Sequence, residues 1–361
     1  MKIMILANYD AGLYRFRREL VEELLKQHQV YICLPNGQYV PEMVEWGCQF
    51  ISCELLDRHG TNPLKELKLI SYYKKVLLEI KPDIVFTYTI KPNVYGGMVC
   101  GKLNIPYVAN ITGLGTAVEN PGVMQKITLM LYRLGLKHAK KIFFQNTTNR
   151  DFMLAKKVVK GAYDLLPGSG VNLKQYLPLE YPNKETVDFV FVGRTMKEKG
   201  IENYLEAAEY IRGKYPETRF HICGEPEEDY EERLFLFHKK GTIVFHGTVR
   251  NMTDIYYKMS CTIHPSYYPE GLSNVLLESC ASARPIITTN RAGCREVVED
   301  GVNGFICNQN DTQDLIRQIE KFLELSWTER KSMGLAGRRK VEKEFDRQIV
   351  IEKYLKELNE V

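Results

Sequence analysis

Two glutamates, Glu270 and Glu278, stand eight residues apart around what the sequence predicts to be a turn from a strand into a helix. Gly271 follows the first glutamate, and glycine adopts turn conformations that other residues avoid. The predicted helix buries an apolar face at Val275, Leu276, Ser279 and Ala283. Its first backbone N–H groups, at Gly271, Leu272 and Ser273, are expected to be free, and such a helix end attracts phosphate.

The two carboxylates extend this predicted phosphate site on both sides. Eight residues of helix turn Glu278 close to the face from which Glu270 projects and place it about 12 Å deeper. Carboxylates accept hydrogen bonds from hydroxyl groups, so the arrangement suits a ligand with hydroxyls on either side of a phosphate. A nucleotide sugar has this chemistry. The alternative interpretation is an amphipathic helix with two surface glutamates.

A second loop carries two cations five residues apart. The apolar strand at residues 188–193 ends in Gly193, and Arg194 and Lys199 follow it before a helix that begins near Ile201. An arginine fork and a lysine point charge can together clasp a diphosphate. The sequence contains no Asp-x-Asp pair and no evident cluster of metal ligands. We therefore expect no metal ion and no cofactor, with the nucleotide sugar as co-substrate.

The elements that position these loops are apolar strands alternating with amphipathic helices along the whole chain. This alternation predicts an α/β fold with parallel, doubly wound sheets, and a length of 361 residues suits two domains. A glycine-rich turn at residues 168–172 interrupts both patterns. The predicted domains are therefore residues 1–172 and 173–344, followed by a last amphipathic helix at residues 345–361.

The N-terminal half has strand-end loops of its own. Residues 10–12 are predicted to form a turn ending in Gly12, a geometry that lets the backbone approach a phosphate. Lys91 and Thr112 follow later strands, and the carboxyl ends of parallel strands form the ligand crevice, so all three are predicted to share one wall. A cluster of arginines follows the first loop: Arg15, Arg17 and Arg18. It is either a solvated helix start or a contact for an anionic acceptor.

Charge is unevenly distributed along the chain. Residues 1–172 carry 22 Lys and Arg against 14 Asp and Glu, a net +8, whereas residues 173–361 carry 27 against 31, a net −4. A basic half suits an acidic partner such as anionic lipid headgroups or a pyrophosphate-linked acceptor; an uneven but solvated surface is the alternative. The basic, apolar run at residues 122–141 fits either a helix on a membrane surface or one that covers the sheet.

Composition excludes several classes of protein. The sequence has no apolar run near the roughly 18 residues of a transmembrane helix, and its start is too short for a signal peptide. Nine scattered cysteines without a C-x2-C pair indicate free thiols in a reducing cytoplasm. We expect a cytoplasmic protein with no nucleic acid partner.

The Glu270-x7-Glu278 motif and the Gly193-Arg194…Lys199-Gly200 segment resemble retaining GT-B glycosyltransferases of the family 4-like type. The resemblance implies two Rossmann-like, doubly wound parallel-sheet domains facing across a cleft. The N-terminal domain is expected to bind the acceptor and the C-terminal domain the nucleotide sugar. The last helix, at residues 345–361, is expected to cross back to the first domain.

The resemblance also implies roles for individual residues. Catalysis falls to Arg194, Lys199 and Glu270. Donor binding falls to Gly12, Gly193, Arg194, Lys199, Gly224, Val249, Glu270, Gly271, Leu272, Ser273 and Glu278. The residues expected to lie on the acceptor side are Arg15, Lys91 and Thr112. Many members carry a histidine in the loop that here holds Thr112, and its absence fits a same-face mechanism that needs no protein nucleophile.

The Thr-Ile-Lys-Pro segment at residues 89–92 and the Thr-Gly-Leu-Gly segment at residues 112–115 resemble a subgroup that acts on lipid-linked sugars. The expected reaction transfers a hexose or N-acetylhexosamine from a UDP-linked donor to a polyprenyl-diphosphate-linked sugar, with retention, in surface polysaccharide or glycan assembly. The protein is then expected peripherally on the cytoplasmic face of the inner membrane. A nucleotide-sugar epimerase of the same fold, a non-catalytic sugar-binding protein and a catalytically dead regulatory relative stay open as alternatives.

Overall fold

The computed structural model describes residues 1–56, 62–183, 185–227 and 230–360. The chain divides into two compact units, which are Met1–Ser169 with Gln348–Val361 (unit 1) and Gly170–Arg347 (unit 2). The boundaries therefore lie a few residues from those predicted, because Val171 pairs with Asp346 in a parallel bridge inside unit 2. Gly170 has a φ of 67°, and a Cβ on it would lie 2.4 Å from the Cα of Arg347. Only glycine permits this close approach.

Unit 1 is built on a parallel sheet that has seven strands in the described residues, in the order β3-β2-β1-β4-β5-β6-β7. The strands are β1 Lys2–Leu6, β2 Gln29–Leu34, β3 Gln49–Ser52, β4 Ile84–Tyr88, β5 Tyr107–Ile111, β6 Lys141–Phe144 and β7 Tyr163–Leu165. The central strands β4 and β5 are buried along their whole length, as expected of a parallel sheet with helices on both faces.

The helices of unit 1 cover both faces of this sheet and enclose a separate apolar core on each. They are α1 Asp10–Leu25, α2 Val40–Glu45, α3 Pro63–Ile80, α4 Gly97–Leu103, α5 Thr116–Glu119, α6 Val123–Gly135 and α7 Thr147–Ala155, with a π-helical turn at Pro92–Gly96. The sheet is therefore doubly wound, as the alternation of strands and helices predicted.

The last helix of the chain, Arg347–Asn359, packs into unit 1. Its Tyr354 ring is fully buried, with centroids 5.0 Å from the Phe86 ring and 5.2 Å from the Phe143 ring. The Tyr354 hydroxyl donates a hydrogen bond to the Asn110 side chain at the end of β5. This helix therefore completes a core that residues 1–169 alone would leave open.

Two local predictions in unit 1 are wrong, and one strand of the unit was not predicted. The predicted turn at residues 10–12 is the first turn of α1, because Tyr9 takes the extended N-cap position. The helix predicted at residues 122–141 ends at Gly135, and residue 141 already belongs to β6. A further strand, β7, follows β6 and pairs with it at Tyr163–Leu165; its three residues are too short for a recognisable apolar alternation.

Unit 2 repeats the architecture with a parallel sheet of six strands in the described residues, in the order β10-β9-β8-β11-β12-β13. The strands are β8 Val187–Val192, β9 Thr218–Cys223, β10 Val244–Gly247, β11 Cys261–His264, β12 Ile286–Thr289 and β13 Gly304–Cys307. The helices are α8 Ile201–Lys214, α9 Tyr230–Lys239, α10 Met252–Lys258, α11 Asn274–Ala281, α12 Thr312–Glu324 and α13 Trp327–Glu344, and the Arg347–Asn359 helix is α14. Two apolar cores again lie on opposite faces of the sheet.

Candidate active site

Three neighbouring strands of unit 2 end in glycines that adopt positive φ angles. Gly193 after β8, Gly224 after β9 and Gly247 at the end of β10 have φ of 144°, 155° and 64°. The Gly224 N–H donates to the Gly247 carbonyl at 2.8 Å, and a Cβ on Gly224 would lie 1.8 Å from the Gly193 carbonyl oxygen. The three turns therefore form a ledge of bare backbone. Gly193 and Gly224 were predicted donor contacts.

Arg194 projects from this ledge and is held by a carboxylate. Its Nη1 atom lies 2.8 Å from both carboxylate oxygens of Glu227. Backbone hydrogen bonds between the two loops set this pairing, with the Thr195 N–H donating to the Glu225 carbonyl at 3.0 Å and the Glu227 N–H donating to the Thr195 carbonyl at 3.2 Å. Sequence reasoning missed Glu227, because its partner lies 33 residues away and no local pattern marks it.

The loop that carries Lys199 is fastened to the segment after β11. Lys197–Lys199 form a single 3-10 turn that ends at Gly200, whose φ is 77°. A Cβ on Gly200 would lie 2.2 Å from the Pro265 carbonyl oxygen, and the Tyr267 N–H donates to the Glu198 carbonyl at 2.9 Å. Glycine at position 200 thus lets two loops that are distant in sequence lie against each other.

This contact brings Lys199 and Glu270 together. The Lys199 ammonium donates a short hydrogen bond to Glu270 Oε1, and the two side chains are only 12% and 14% exposed. Ser266 Oγ donates to the same oxygen at 3.4 Å. Burial alone would raise the pKa of the Glu270 carboxyl, but the Lys199 charge and His264 outweigh burial and hold that pKa well below its usual range. Glu270 is therefore ionised and accepts hydrogen bonds only.

Tyr268 lies between the two cations. Its ring centroid is 5.6 Å from Arg194 Cζ and 5.3 Å from Lys199 Nζ. Two cations on one aromatic ring are attracted by its π electrons and held in a fixed relation to each other. No local sequence pattern marks this role of Tyr268, because it depends on the contact between two loops that are distant in sequence.

His264, the last residue of β11, contacts both Glu270 and the residue that precedes α11. Its Nε2 atom lies 3.2 Å from Ser273 Oγ and 3.7 Å from Glu270 Oε1. The ring is 1% exposed, and burial lowers its pKa more than Glu270 raises it. A neutral imidazole therefore links the helix start at Ser273 to the carboxylate.

The start of α11 differs in part from the prediction. The Ser273 N–H is not free, because it donates to the Gly293 carbonyl at 2.8 Å. The helix runs over Asn274–Ala281, so Ala283 lies beyond its end with a φ of 54°. Its buried residues are Leu276, Leu277, Ser279, Cys280 and Ala281, whereas Val275 is only half-buried. The helix packs against α13, where a Cβ on Gly337 would lie 3.1 Å from Cys280 Sγ, so its buried face differs from the one predicted.

Glu278 and Val249 both lie beside the apolar core that contains Tyr256. Glu278 is half-buried on α11 near Tyr256, and its charge adds to the effect of burial in raising the pKa of that phenol. Val249 is partly buried against the same apolar core. The structure thus brings Arg194, Lys199 and Glu270 into one cluster and places Glu278 near Tyr256.

The predicted residues of unit 1 are mostly engaged with their surroundings. Gly12 lies in the first turn of α1, where an added Cβ would meet only a Tyr9 side-chain atom at 3.8 Å. Arg15 is exposed, and its Nη2 donates to the Tyr39 hydroxyl at 2.7 Å. Lys91 pairs with Glu66 at 2.6 Å, and Thr112 is half-buried directly after β5. Glu66, the counter-charge of Lys91, was not anticipated.

Two family models match the chain. The model described as glycosyl transferase 4-like matches residues 2–146, and the model described as glycosyl transferases group 1 matches residues 180–340. Among curated relatives, N,N'-diacetylbacillosaminyl-diphospho-undecaprenol alpha-1,3-N-acetylgalactosaminyltransferase of Campylobacter jejuni is 24% identical, over 99% of this chain and 98% of the relative. Capsular polysaccharide biosynthesis glycosyltransferase CapM of Staphylococcus aureus is 31% identical, over 45% of this chain and 43% of the relative.

Solved structures share the fold. Anabaena Alr3699/HepE, crystallised with UDP and glucose, aligns over 100% of both chains with a TM-score of 0.81 at 14% identity. Sucrose-phosphate synthase of Thermosynechococcus elongatus aligns over 100% of this chain and 98% of its own, with a TM-score of 0.81 at 18% identity. At these identities the likeness concerns the fold alone.

Proposed function

Because the chain belongs to the glycosyltransferases, with a 4-like N-terminal half and a group 1 C-terminal half in the GT-B fold, we propose that it is a retaining transferase using a UDP-sugar. The donated group is a hexose or N-acetylhexosamine, and the acceptor is a polyprenyl-diphosphate-linked sugar. The observation that carries this proposal is the cluster of Arg194, Lys199 and Glu270 around Tyr268. The acceptor class is supported by the relative from Campylobacter jejuni, whose name specifies a diphospho-undecaprenol sugar.

In this proposal the two cations bind the diphosphate of the donor. Negative charge grows on the diphosphate as the bond from the anomeric carbon to its oxygen breaks, and fixed cations stabilise charge at the place where it develops. Each cation is held by a counter-carboxylate and by the Tyr268 ring. The ledge formed by Gly193 and Gly224 gives the diphosphate access to the backbone.

The acidic residues have different tasks in the proposed reaction. Glu270 is ionised, so it accepts hydrogen bonds from hydroxyls of the donor hexose and does not act as an acid. Glu278 accepts those of the ribose. The acceptor hydroxyl attacks the anomeric carbon from the face that the diphosphate leaves, a new carbon–oxygen bond forms, and the hydroxyl proton passes to the departing diphosphate. This route requires no protein nucleophile.

The test measures UDP release from a panel of nucleotide sugars, with and without a polyprenyl-diphosphate sugar, and determines the anomeric configuration of the product by NMR. We expect acceptor-dependent release of UDP, an α-linked product from an α-linked donor, and full activity in EDTA. An inverted product contradicts the retaining mechanism. Free sugar formed without any acceptor identifies the epimerase alternative, and loss of activity in EDTA that Mn²⁺ restores contradicts the metal-independent reaction.

We also propose that unit 1 binds the membrane surface through α6. Five large apolar side chains line one side of this helix and are 44% to 74% exposed: Val123, Met124, Ile127, Met130 and Leu134. The opposite side, with Leu129 and Tyr132, packs into the core. The exposed Lys126 and Lys137 flank the apolar side. An apolar stripe beside cations suits the interface of an anionic bilayer. Among the described residues no helix is both long and apolar enough to span a bilayer.

The membrane prediction is tested with Ile127→Glu/Met130→Glu. We expect the wild type to bind vesicles of phosphatidylethanolamine and phosphatidylglycerol at low salt and to leave them near 1 M salt, where the Debye length is about 3 Å. The double variant should bind at least about tenfold more weakly, because each CH₂ group lost from lipid costs about 0.8 kcal/mol. Sedimentation with vesicles measures both effects.

The matched control is Phe235→Glu on α9 of unit 2, which replaces another strongly exposed apolar side chain. It should bind vesicles like the wild type. Lys140 and Lys141 make poor probes because both contact Glu357 of α14. Equal vesicle binding by the wild type and the α6 variant would remove α6 from the membrane interface, and loss of UDP affinity in that variant would show that α6 is structural.

A further inference from the structure

Arg17 stands out among the cations of unit 1 because it is buried. Its side chain projects from α1 and is 4% exposed, whereas the neighbouring Arg15 and Arg18 are exposed. The guanidinium lies over the Tyr88 ring, with Cζ 5.2 Å from the ring centroid, and Nη1 donates to the Phe16 carbonyl at 2.9 Å. The chain therefore places a permanent positive charge at the carboxyl end of β4.

This charge has no counter-ion among the described residues. Its Nε atom is buried without a hydrogen-bond partner there, and no carboxylate of the described chain forms an ion pair with it. Two acids on the same helix are engaged elsewhere, because Asp10 accepts the Tyr39 N–H at 2.9 Å and Glu22 pairs with Arg18. A buried charge without a partner is strongly unfavourable, and the cation–π contact with Tyr88 offsets only part of that cost.

The polar side chains at the ends of β4 and β5 form a hydrogen-bonded network. Thr87 Oγ1 donates to Asn93 Oδ1 at 2.6 Å, Asn93 Nδ2 donates to the Asn110 carbonyl at 2.7 Å, and Asn110 Nδ2 donates to the Thr87 carbonyl at 3.2 Å. Tyr354 of α14 closes this network on Asn110. Within the described part of the chain, the Nε of Arg17 and the hydroxyl of Tyr88 are by contrast buried without a partner, and such exceptions call for a ligand or an ordered ion.

Thr89, the residue after β4, provides a second and independent sign. It is β-branched yet has a φ of 71°, a conformation that β-branched residues rarely adopt. Its Oγ1 atom is buried without a partner in the described part of the chain. Strain of this kind persists where surrounding structure enforces it, and it concentrates at ligand sites. A hydroxyl donor and a guanidinium donor therefore both lack acceptors at the end of one strand.

We propose that Arg17 and Thr89 form an anion site in unit 1 that binds the diphosphate of the acceptor. A diphosphate supplies the two things that the site lacks. These are negative charge for the guanidinium and oxygen acceptors for Arg17 Nε and the Thr89 hydroxyl. The carboxyl ends of parallel strands are where such ligands bind. The inference rests on the proposed function for the identity of the acceptor, whereas the anion site itself does not.

The first test measures binding of inorganic pyrophosphate to the full chain with UDP held at saturation, so that unit 2 is already occupied. Arg17→Met should weaken pyrophosphate binding at least tenfold. Arg18→Gln, one residue further on α1 and paired with Glu22 on the surface, should leave it unchanged. Equal pyrophosphate affinity in wild type and Arg17→Met, or no binding by the wild type, overturns the site.

Thermal unfolding separates a binding residue from a structural one. Removing an unmatched buried charge should leave the Tm of Arg17→Met equal to or above that of the wild type, and pyrophosphate should raise only the wild-type Tm. A lower Tm together with weaker UDP binding would mean that Arg17 is structural, which overturns the proposal.

Turnover then identifies which diphosphate occupies the site. Arg17→Met should raise KM at least tenfold for a polyprenyl-diphosphate sugar and leave KM for the nucleotide sugar unchanged. The reverse pattern would assign the site to the donor and overturn the acceptor assignment. If the protein shows no glycosyl transfer but still binds pyrophosphate through Arg17, the proposed function fails while the anion site stands.

Discussion

Replacing Lys199 or Arg194 by alanine is expected to lower kcat about 30- to 1000-fold, because each removes roughly 2–4 kcal/mol of transition-state stabilisation. Both cations contact the Tyr268 ring, and each is held by its own carboxylate. In the proposed reaction, the charge that they stabilise appears only as the diphosphate leaves. The loss should therefore fall on kcat more than on KM for the donor, and steady-state release of UDP measures it.

Lys197 offers a matched control for this experiment. It belongs to the same 3-10 turn as Lys199 but its side chain is exposed. Lys197→Ala should keep kcat within about twofold of the wild type, since a surface charge contributes little. If Arg194→Ala and Lys199→Ala both turn over nearly as fast as the wild type and as Lys197→Ala, then Arg194 and Lys199 do not belong to the catalytic site.

Glu270→Gln is expected to destabilise unit 2 and to abolish most activity. Lys199 and Glu270 are almost enclosed, and breaking a buried pair from one side leaves a charge without a partner. The 12% and 14% exposure lets water relieve part of this cost, so we expect a loss of about 2–4 kcal/mol of unfolding free energy. For a unit of this size that corresponds to a Tm lower by about 5–15 °C, measurable by circular dichroism.

The double variant Lys199→Met/Glu270→Gln separates stability from catalysis. Removing both charges should restore much of the Tm, because an apolar replacement of a buried pair is often neutral, yet activity should stay as low as in Lys199→Ala. Glu344→Ala, which breaks the surface pair with Lys340 on α13, should cost less than about 1 kcal/mol. A Glu270→Gln protein as stable as the wild type would contradict the importance of the pair.

The destabilisation caused by Glu270→Gln is expected to depend on pH with a definite sign. The pKa of Glu270 is lowered in the folded protein, so its contribution to stability is complete above the unfolded pKa of about 4.3. That contribution is lost as the pH falls below this value toward the folded pKa. The stability difference between wild type and Glu270→Gln should therefore be constant near pH 7 and narrow below about pH 4. A difference that grows on acidification would contradict the assignment.

Much of the fold could be predicted because it depends on local patterns. Buried parallel strands are short apolar runs, and in the helices between them apolar residues recur every three to four positions. These patterns indicated two α/β domains, and both sheets are confirmed. They located a break near residue 170, where the two units meet in the chain. Short elements such as β7 escaped notice because three residues carry too little pattern.

The candidate site could be predicted only where chemistry is concentrated in one segment. Arg194 with Lys199, and Glu270 with Gly271, each lie on a single strand-end loop, and spacing alone made them visible. The partners that determine their behaviour lie elsewhere in the chain. Glu227 is 33 residues from Arg194, and Glu270 is 71 residues from Lys199. Periodicity in sequence carries no information about such distances.

By itself, therefore, the sequence determined the fold class, the two-unit organisation and the loops on which the candidate site residues lie. Only the tertiary structure decided which charges are paired, which helix face is exposed and which arginine is buried. Arg15, Arg17 and Arg18 look alike in the sequence, yet packing over Tyr88 buries Arg17 alone. The apolar side of α6 likewise faces outward although its pattern suits a core helix. The physical reason is that the burial of a side chain depends on the helices and strands packed against it. Which elements pack against each other is determined by the order of the strands in the sheet and not by their order in the sequence.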